Sequence, residues 1–353
     1  MKKIKLLDTT LRDGSYATNF SFTADDTAII CQELEKSGIE LIEIGHGLGI
    51  NASSSGYGKT PATDEEYMTA AKNTLKKSKY GMFCIPGIAR LEDLDIALKH
   101  EMNFIRIGTD VTKIPESEYF IKKAKDNGMY VAANYMKSYA MSPEKFAENV
   151  LLSEKYGADI VYIVDSAGGM FHDDILNYFK AIRKVSNIPI GFHAHDNLGL
   201  ATSNSIFAAE NGIELVDCSL QGLGRSSGNA CTETLVMAFK KKGFDTGIDF
   251  KKIFDLGQIH IRPLLKNNGR MPLDIVAGYA DFHSSYMPHI MECSNKYNVD
   301  PISLIIEITK IDKVDLDKEK LEEIAIALKK DGLIYTPKYQ FDRYVGREQD
   351  NRT

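Results

Sequence analysis

The 353-residue chain has no tryptophan, and its five cysteines lack the spacing that would make them a framework. Cys31, Cys84, Cys218, Cys231 and Cys293 are scattered with no Cys-x-x-Cys pair, which excludes a zinc ribbon or a disulfide scaffold and suits reduced thiols in the cytoplasm. No apolar run approaches the roughly 20 residues that cross a bilayer. The N-terminus offers only Leu6 and Leu7 between its lysines and Asp8, so no secretory signal is expected. There is also no basic block: 43 Lys and Arg stand against 49 Asp and Glu, a net charge of −6, which disfavours a nucleic-acid partner and leaves small molecules as the expected ligands. Internal repeats longer than one strand and helix, and low-complexity segments, are absent too.

What is present is a regular alternation. Short apolar or β-branched runs at Ile4–Thr9, Glu40–His46, Tyr80–Ile85, Phe104–Gly108, Met129–Asn134, Ile160–Asp165, Pro189–His195 and Leu215–Leu220 are separated by segments of helical periodicity. Punctuation supports the helices. Thr23 precedes Asp25 and Asp26 and Gly38 closes that segment; Ser142-Pro143 opens another that Gly157 ends. Eight strand and helix units over about 240 residues predict an α/β fold, a (β/α)₈ barrel at residues 1–245. Beyond it, segments around Phe250–Lys266, His283–Tyr297, Pro301–Thr309 and Lys318–Lys330 read as a helical appendage at 246–335 without paired strands, followed by a polar tail at 336–353.

In such a barrel the active site is built where the strands end. The first run ends in Asp8-Thr9-Thr10-Leu11-Arg12-Asp13-Gly14, the second in Glu43-Ile44-Gly45-His46-Gly47, and the seventh in His193-Ala194-His195. The two histidines are two residues apart, so on a strand both imidazoles face one side. A pair of hydrogen-bonded interior histidines would have the same spacing; convergence with Asp13 favours a divalent metal site.

Thr10-Leu11-Arg12-Asp13-Gly14 after a first strand, together with His193-Ala194-His195-Asp196-Asn197 on the seventh, resembles the DRE-TIM metallolyases, and within them the 4-hydroxy-2-oxovalerate aldolases. Ser53-Ser54-Ser55-Gly56-Tyr57-Gly58, Asp217 to Gly224 with Gly228-Asn229-Ala230, and Tyr297-Asn298-Val299-Asp300-Pro301 extend the likeness over most of the chain. The resemblance implies that Asp13, His193 and His195 ligate the metal, usually Mn²⁺, and that Arg12 is the cation beside the substrate's keto oxygen. It implies cleavage or formation of a 4-hydroxy-2-oxo acid from pyruvate and an aldehyde through a metal-stabilised pyruvate enolate. That charge sits where a metal and a guanidinium both stabilise it. His46 is expected to position substrate or to hydrogen-bond a neighbour. Asn229 is expected near the substrate, either as an extra oxygen ligand or, the favoured reading, as the N-cap of the eighth helix that also supports the ligands from behind. Lys59 and Arg225 lie in loops near the mouth.

The chain departs from the aldolase pattern at the proton-transfer pair. A family histidine that serves as base is replaced by Tyr16, and the family's partner tyrosine in the appendage is replaced by His283. The paired change predicts a swap, with His283 as general base and Tyr16 its hydrogen-bonding partner, and with an aldehyde larger or more polar than acetaldehyde. The resemblance also implies an aldehyde dehydrogenase partner, and the appendage suggests a homodimer. Two competing functions share the ligand set: a Claisen-type acyl-CoA transferase of the isopropylmalate or homocitrate synthase kind, and a catalytically inactive metal-binding protein.

Overall fold

Eight parallel strands close into a barrel in strict chain order in the computed structural model, which describes residues 2–265 and 272–331. They are β1 (Lys5–Asp8), β2 (Leu41–Ile44), β3 (Lys79–Cys84), β4 (Phe104–Asp110), β5 (Tyr130–Met136), β6 (Ile160–Asp165), β7 (Ile190–Ala194) and β8 (Leu215–Cys218). All eight expected runs are strands; most differ at the ends, where the last residues turn into loops that carry chemistry. After the eighth helix, Phe244–Asp245 pairs in parallel with Lys2–Lys3, a contact the strand runs do not include because two residues carry no periodic signal.

The helices between the strands are α1 (Ala24–Ser37), α2 (Asp64–Thr74), α3 (Asp93–Lys99), α4 (Glu118–Asp126), α5 (Pro143–Tyr156), α6 (His172–Arg183), α7 (Ala201–Glu210) and α8 (Thr232–Lys241). Local chemistry sets their ends. Thr23 caps α1, its hydroxyl accepting from Asp26 N at 3.0 Å while the Asp26 carboxylate accepts from Thr23 N, and Gly38 ends the helix at φ +96°, which costs a Cβ-bearing residue strain. Gly157 ends α5 the same way at φ +109°.

The appendage comprises α9 (Phe250–Leu256), α10 (Pro272–Ala280), α11 (Met287–Tyr297), α12 (Pro301–Thr309) and α13 (Lys318–Lys330). The segment expected to be one helix from Phe250 instead passes at Gly257 into a wider turn and then a tight turn at Arg262–Leu264, and Lys266 lies outside the described residues. The helix expected from His283 starts at Met287, after a tight turn at Ser284–Tyr286 that His283 caps. Helix α10 was not foreseen. Ile253, Leu256 and Ile261 join the barrel's outer core, whereas Leu273, Ala277, Ile290, Leu304, Ile308 and Leu321 form a second core of their own. The polar tail at 336–353 lies outside the described residues.

Helix α10 lies across the loops that follow β6, β7 and β8. Asn197 Nδ2 donates to the Asp274 carbonyl at 3.1 Å, and the Ser226 hydroxyl bonds Asp274 Oδ1 at 3.2 Å. A Cβ on Gly169 would sit 2.3 Å from the Gly278 carbonyl oxygen, so backbone touches backbone there. The appendage therefore rests on the C-terminal mouth of the barrel, the end where the histidines are.

Candidate metal centre

The first loop folds back at once. The amides of Arg12, Asp13 and Gly14 all donate to the Thr9 carbonyl, at 3.1, 2.8 and 3.2 Å, which turns the chain over the barrel mouth and points Asp13 inward. His193 lies on β7 and His195 just beyond it, pinned by its amide to the Asp165 carbonyl at 3.2 Å. Their rings are 5.0 Å apart and nearly perpendicular. One ligating atom from each of Asp13, His193 and His195 falls within 4.8 Å of the others, and all three residues are buried.

The surroundings fit a divalent ion. His193 Nδ1 bonds Asp217 Oδ2 at 2.8 Å, the carboxylate that fixes the ring and leaves Nε2 as the ligating atom. Burial pushes His195 down to about 4, although Asp13 opposes the shift, so its imidazole is neutral at physiological pH and able to ligate. Burial alone would raise the Asp13 carboxyl, but Arg12, both histidines and Asn229 hold it well below the usual carboxylate range. His195 Nδ1 and Asn229 Oδ1 are buried and have no hydrogen-bond partner among the described residues. Such orphaned atoms around a carboxylate and two imidazoles are the donor set of an N/O metal site.

Beneath the centre runs a buried ion network. Arg12 Nη1 donates to Asp13 Oδ1 and its Nε to Glu43 Oε2, both at 2.7 Å. Arg106 donates to the same Glu43 oxygen at 2.9 Å and to Asn134 Oδ1 at 2.8 Å, and it pairs with Asp217 Oδ2 at 2.7 Å. Asp217 returns the chain to His193. Both guanidiniums also lie over rings, Arg12 over Phe83 at 4.7 Å and Arg106 over Tyr162 at 4.3 Å. Two arginines against Asp13, Glu43 and Asp217 leave one net negative charge. A divalent cation and a monoanionic ligand would bring the buried group to neutrality, the state that costs least in a low-dielectric interior.

Arg106 and Asn134 are not singled out by the sequence as site residues, and Glu43 and Asp217 appear there only within motifs. The signal was there: an arginine between Ile105 and Ile107, and an aspartate between Val216 and Cys218, are charges inside strand runs where a packed barrel has branched apolar residues.

The remaining expected residues divide. Tyr16 sits at the mouth with its ring against Gly47, where a Cβ would come within 2.5 Å of it, and the Arg225 guanidinium stacks on it at 4.6 Å. Arg225 also donates from Nε to Ser284 Oγ at 3.0 Å, and from its amide to Asp13 Oδ2 at 3.2 Å. It therefore links Tyr16 to the residue next to His283. His283 holds Ser285 through Nδ1, with Oγ at 2.7 Å. His46 is fully buried, stacked on Phe20 at 4.0 Å, and accepts from Leu48 N through Nδ1 at 3.0 Å; burial lowers it to about 4. Lys59 is exposed. Asn229 corrects the capping half of the favoured reading: Cys231 is the N-cap of α8, while Asn229 donates from Nδ2 to Asp13 Oδ2 at 2.8 Å. The bridge between His195 and Asn229 draws that loop inward, two residues before the helix can begin.

Comparison with known proteins agrees with this geometry. The HMGL-like family model matches residues 3–259. A 4-hydroxy-2-oxovalerate aldolase from Carboxydothermus hydrogenoformans is 38% identical over 330 residues, covering 93% of this chain and 98% of that protein. One from Pelotomaculum thermopropionicum is 37% identical over 324 residues, with 92% and 95% covered. Among solved structures, HMG-CoA lyase from Brucella melitensis superposes with a TM-score of 0.65 at 17% identity, covering 76% of this chain and all of that one. The carboxyl transferase domain of Rhizobium etli pyruvate carboxylase with pyruvate, as a Y628A variant, gives 0.75 at 16% identity, with 94% and 61% covered. At those identities the two structures speak to the fold alone.

Proposed function

The chain belongs to the HMGL-like family, and from that premise we propose that it is a metal-dependent aldolase, a carbon-carbon lyase that splits a 4-hydroxy-2-oxo acid into pyruvate and an aldehyde or runs the reverse addition. The observation that carries the proposal is the meeting of Asp13, His193 and His195 beside the Arg12 guanidinium. The relatives named 4-hydroxy-2-oxovalerate aldolase support the substrate class.

Asp13, His193 and His195 would hold a divalent cation, with Mn²⁺ favoured by the mixed carboxylate and imidazole donors. When bound, it supplies Lewis-acid stabilisation of negative charge on the 2-oxo acid. Arg12 contributes to the same end. Its Nε and Nη1 are committed to Glu43 and Asp13, which fixes the plane of the guanidinium, while Nη2 makes no hydrogen bond among the described residues and is the edge left for the keto oxygen. Asp217 keeps the His193 tautomer fixed, and Arg106 keeps Asp217 ionised; burial raises an isolated carboxyl, but here Arg106 and His193 hold it below the usual range.

Cleavage also needs a base for the C4 hydroxyl. His283 takes that role and Tyr16 supports it, because imidazole titrates near neutral pH and phenol near 10. Removing a general base typically costs about 10²–10⁴ in rate. His283→Ala should therefore lower kcat for pyruvate release at least about 100-fold, with Tyr16→Phe costing less. A loss of only a few-fold in His283→Ala would move the base elsewhere. A homodimer through the appendage is the proposed assembly, supported by the exposure of Ile275 and Tyr279 one turn apart on α10, and an aldehyde dehydrogenase is the proposed partner that would consume the aldehyde.

A further inference from the structure

The barrel has a second opening. At the N-terminal end, away from the metal centre, a cavity of about 480 Å³ enters the interior. Ligand pockets for small molecules commonly fall at about 300–1,000 Å³. Barrel interiors are ordinarily filled by layers of branched side chains, so an open lower half is a departure that needs a reason.

The strand register gives the reason. Inward positions alternate, and Leu7, Ala132, Ile160 and Leu215 belong to an apolar cluster inside the barrel. Two residues before Leu7 stands Lys5, and two before Ala132 stands Tyr130; Lys79 is two before Gly81, whose missing Cβ is filled by the Phe104 ring. The lowest inward layer is therefore made of lysines and a tyrosine that reach toward solvent, and the space above them is left open. Lys5, Lys79 and Tyr130 are all exposed.

The chemistry of the space is that of an amphipathic site. Leu7, Leu41, Phe104, Ile160 and Leu215 line it, and Tyr162 and Arg106 form its floor. Arg106 is already neutralised by Glu43 and Asp217, so the floor does not call for another anion. The rim does. Lys3, Lys5 and Lys79 line it, and none pairs with a carboxylate among the described residues. The one acidic residue there, Glu214, is held by Arg183 at 3.2 Å and by the Ile190 amide at 2.8 Å. From Asn103 at the rim to Arg106 at the floor is three residues of strand, roughly 10 Å.

We propose that this cavity is a second binding site that takes a medium-chain carboxylate, with the hydrocarbon against Leu7, Phe104, Ile160 and Leu215 and the carboxylate between Lys5 and Lys79. The inference does not rest on the aldolase reading, because the site lies at the opposite end of the barrel from the metal centre.

Isothermal titration of the intact protein with decanoate tests it. The expected result is one site with Kd tighter than about 1 mM, unchanged by saturating pyruvate and absent for decylamine. Lys5→Ala with Lys79→Ala should weaken it at least fivefold, and Ala132→Leu, which fills the space, should abolish it. The lysines are exposed, so the double variant keeps its fold and decides the matter even if Ala132→Leu does not. No saturable binding, binding equal in the lysine variant, or displacement by pyruvate would each overturn the proposal.

Discussion

Asp217 never needs to touch substrate to matter. Its Oδ2 orients His193 at 2.8 Å, and losing such a carboxylate typically lowers metal affinity about 10- to 100-fold. Asp217→Asn should show that loss in a Mn²⁺ titration while Asp13→Asn loses the ion altogether; equal affinity in wild type and Asp217→Asn would detach the network from the site. A second residue reports on pH. Burial raises Asp8 from 3.8 to about 7, reinforced by Glu233 and opposed by the Thr10 amide. The native state thus holds more protons than the unfolded chain between about pH 4 and 7, and stability contributed by this group falls as pH rises through that window. Asp8→Asn keeps the acceptor for Thr10 N and removes the titration. Its advantage in melting temperature over wild type should grow from pH 4 to pH 8, by an amount worth at most about 4 kcal/mol. A wild-type advantage at pH 8 would contradict this. At this scale the sequence was partly legible: a spacing of two on a strand marks His193 and His195, but nothing in a linear string shows that Asn229 turns toward Asp13 instead of capping a helix.

At the scale of elements, five strands and loops contribute one charge or polar group each to the chain from Arg12 through Glu43, Arg106 and Asp217 to His193. Removing one member of a buried ionic group leaves the others uncompensated and typically costs about 3–5 kcal/mol. Arg106→Met should cost that much by chemical denaturation, because Glu43 and Asp217 would both lose a partner. A change under about 1 kcal/mol would mean that the network is solvated. The strands themselves were readable from apolar runs, and the helix ends from Thr23, Gly38 and Gly157. Helix α10 was not, since Asp274 is its one charged residue and it lacks the polar face that gives a surface helix its period. It packs on Gly169, Asn197 and the second core together, a contact set by tertiary structure alone.

At the scale of the molecule, the barrel presents a polar upper half built on a buried ion network and an apolar lower half with a cationic rim, and α10 of the appendage covers the upper end. No described helix is long and apolar enough to cross a membrane. The appendage is tied to the barrel mouth through Arg225, which joins Tyr16 to Ser284. The most direct test of the central claim is pyruvate release from a panel of 4-hydroxy-2-oxo acids by the Mn²⁺-loaded protein, with and without a chelator. Release that chelation abolishes and added Mn²⁺ restores, and that Asp13→Asn lacks, is the predicted result; release indifferent to chelation and retained in Asp13→Asn would contradict it.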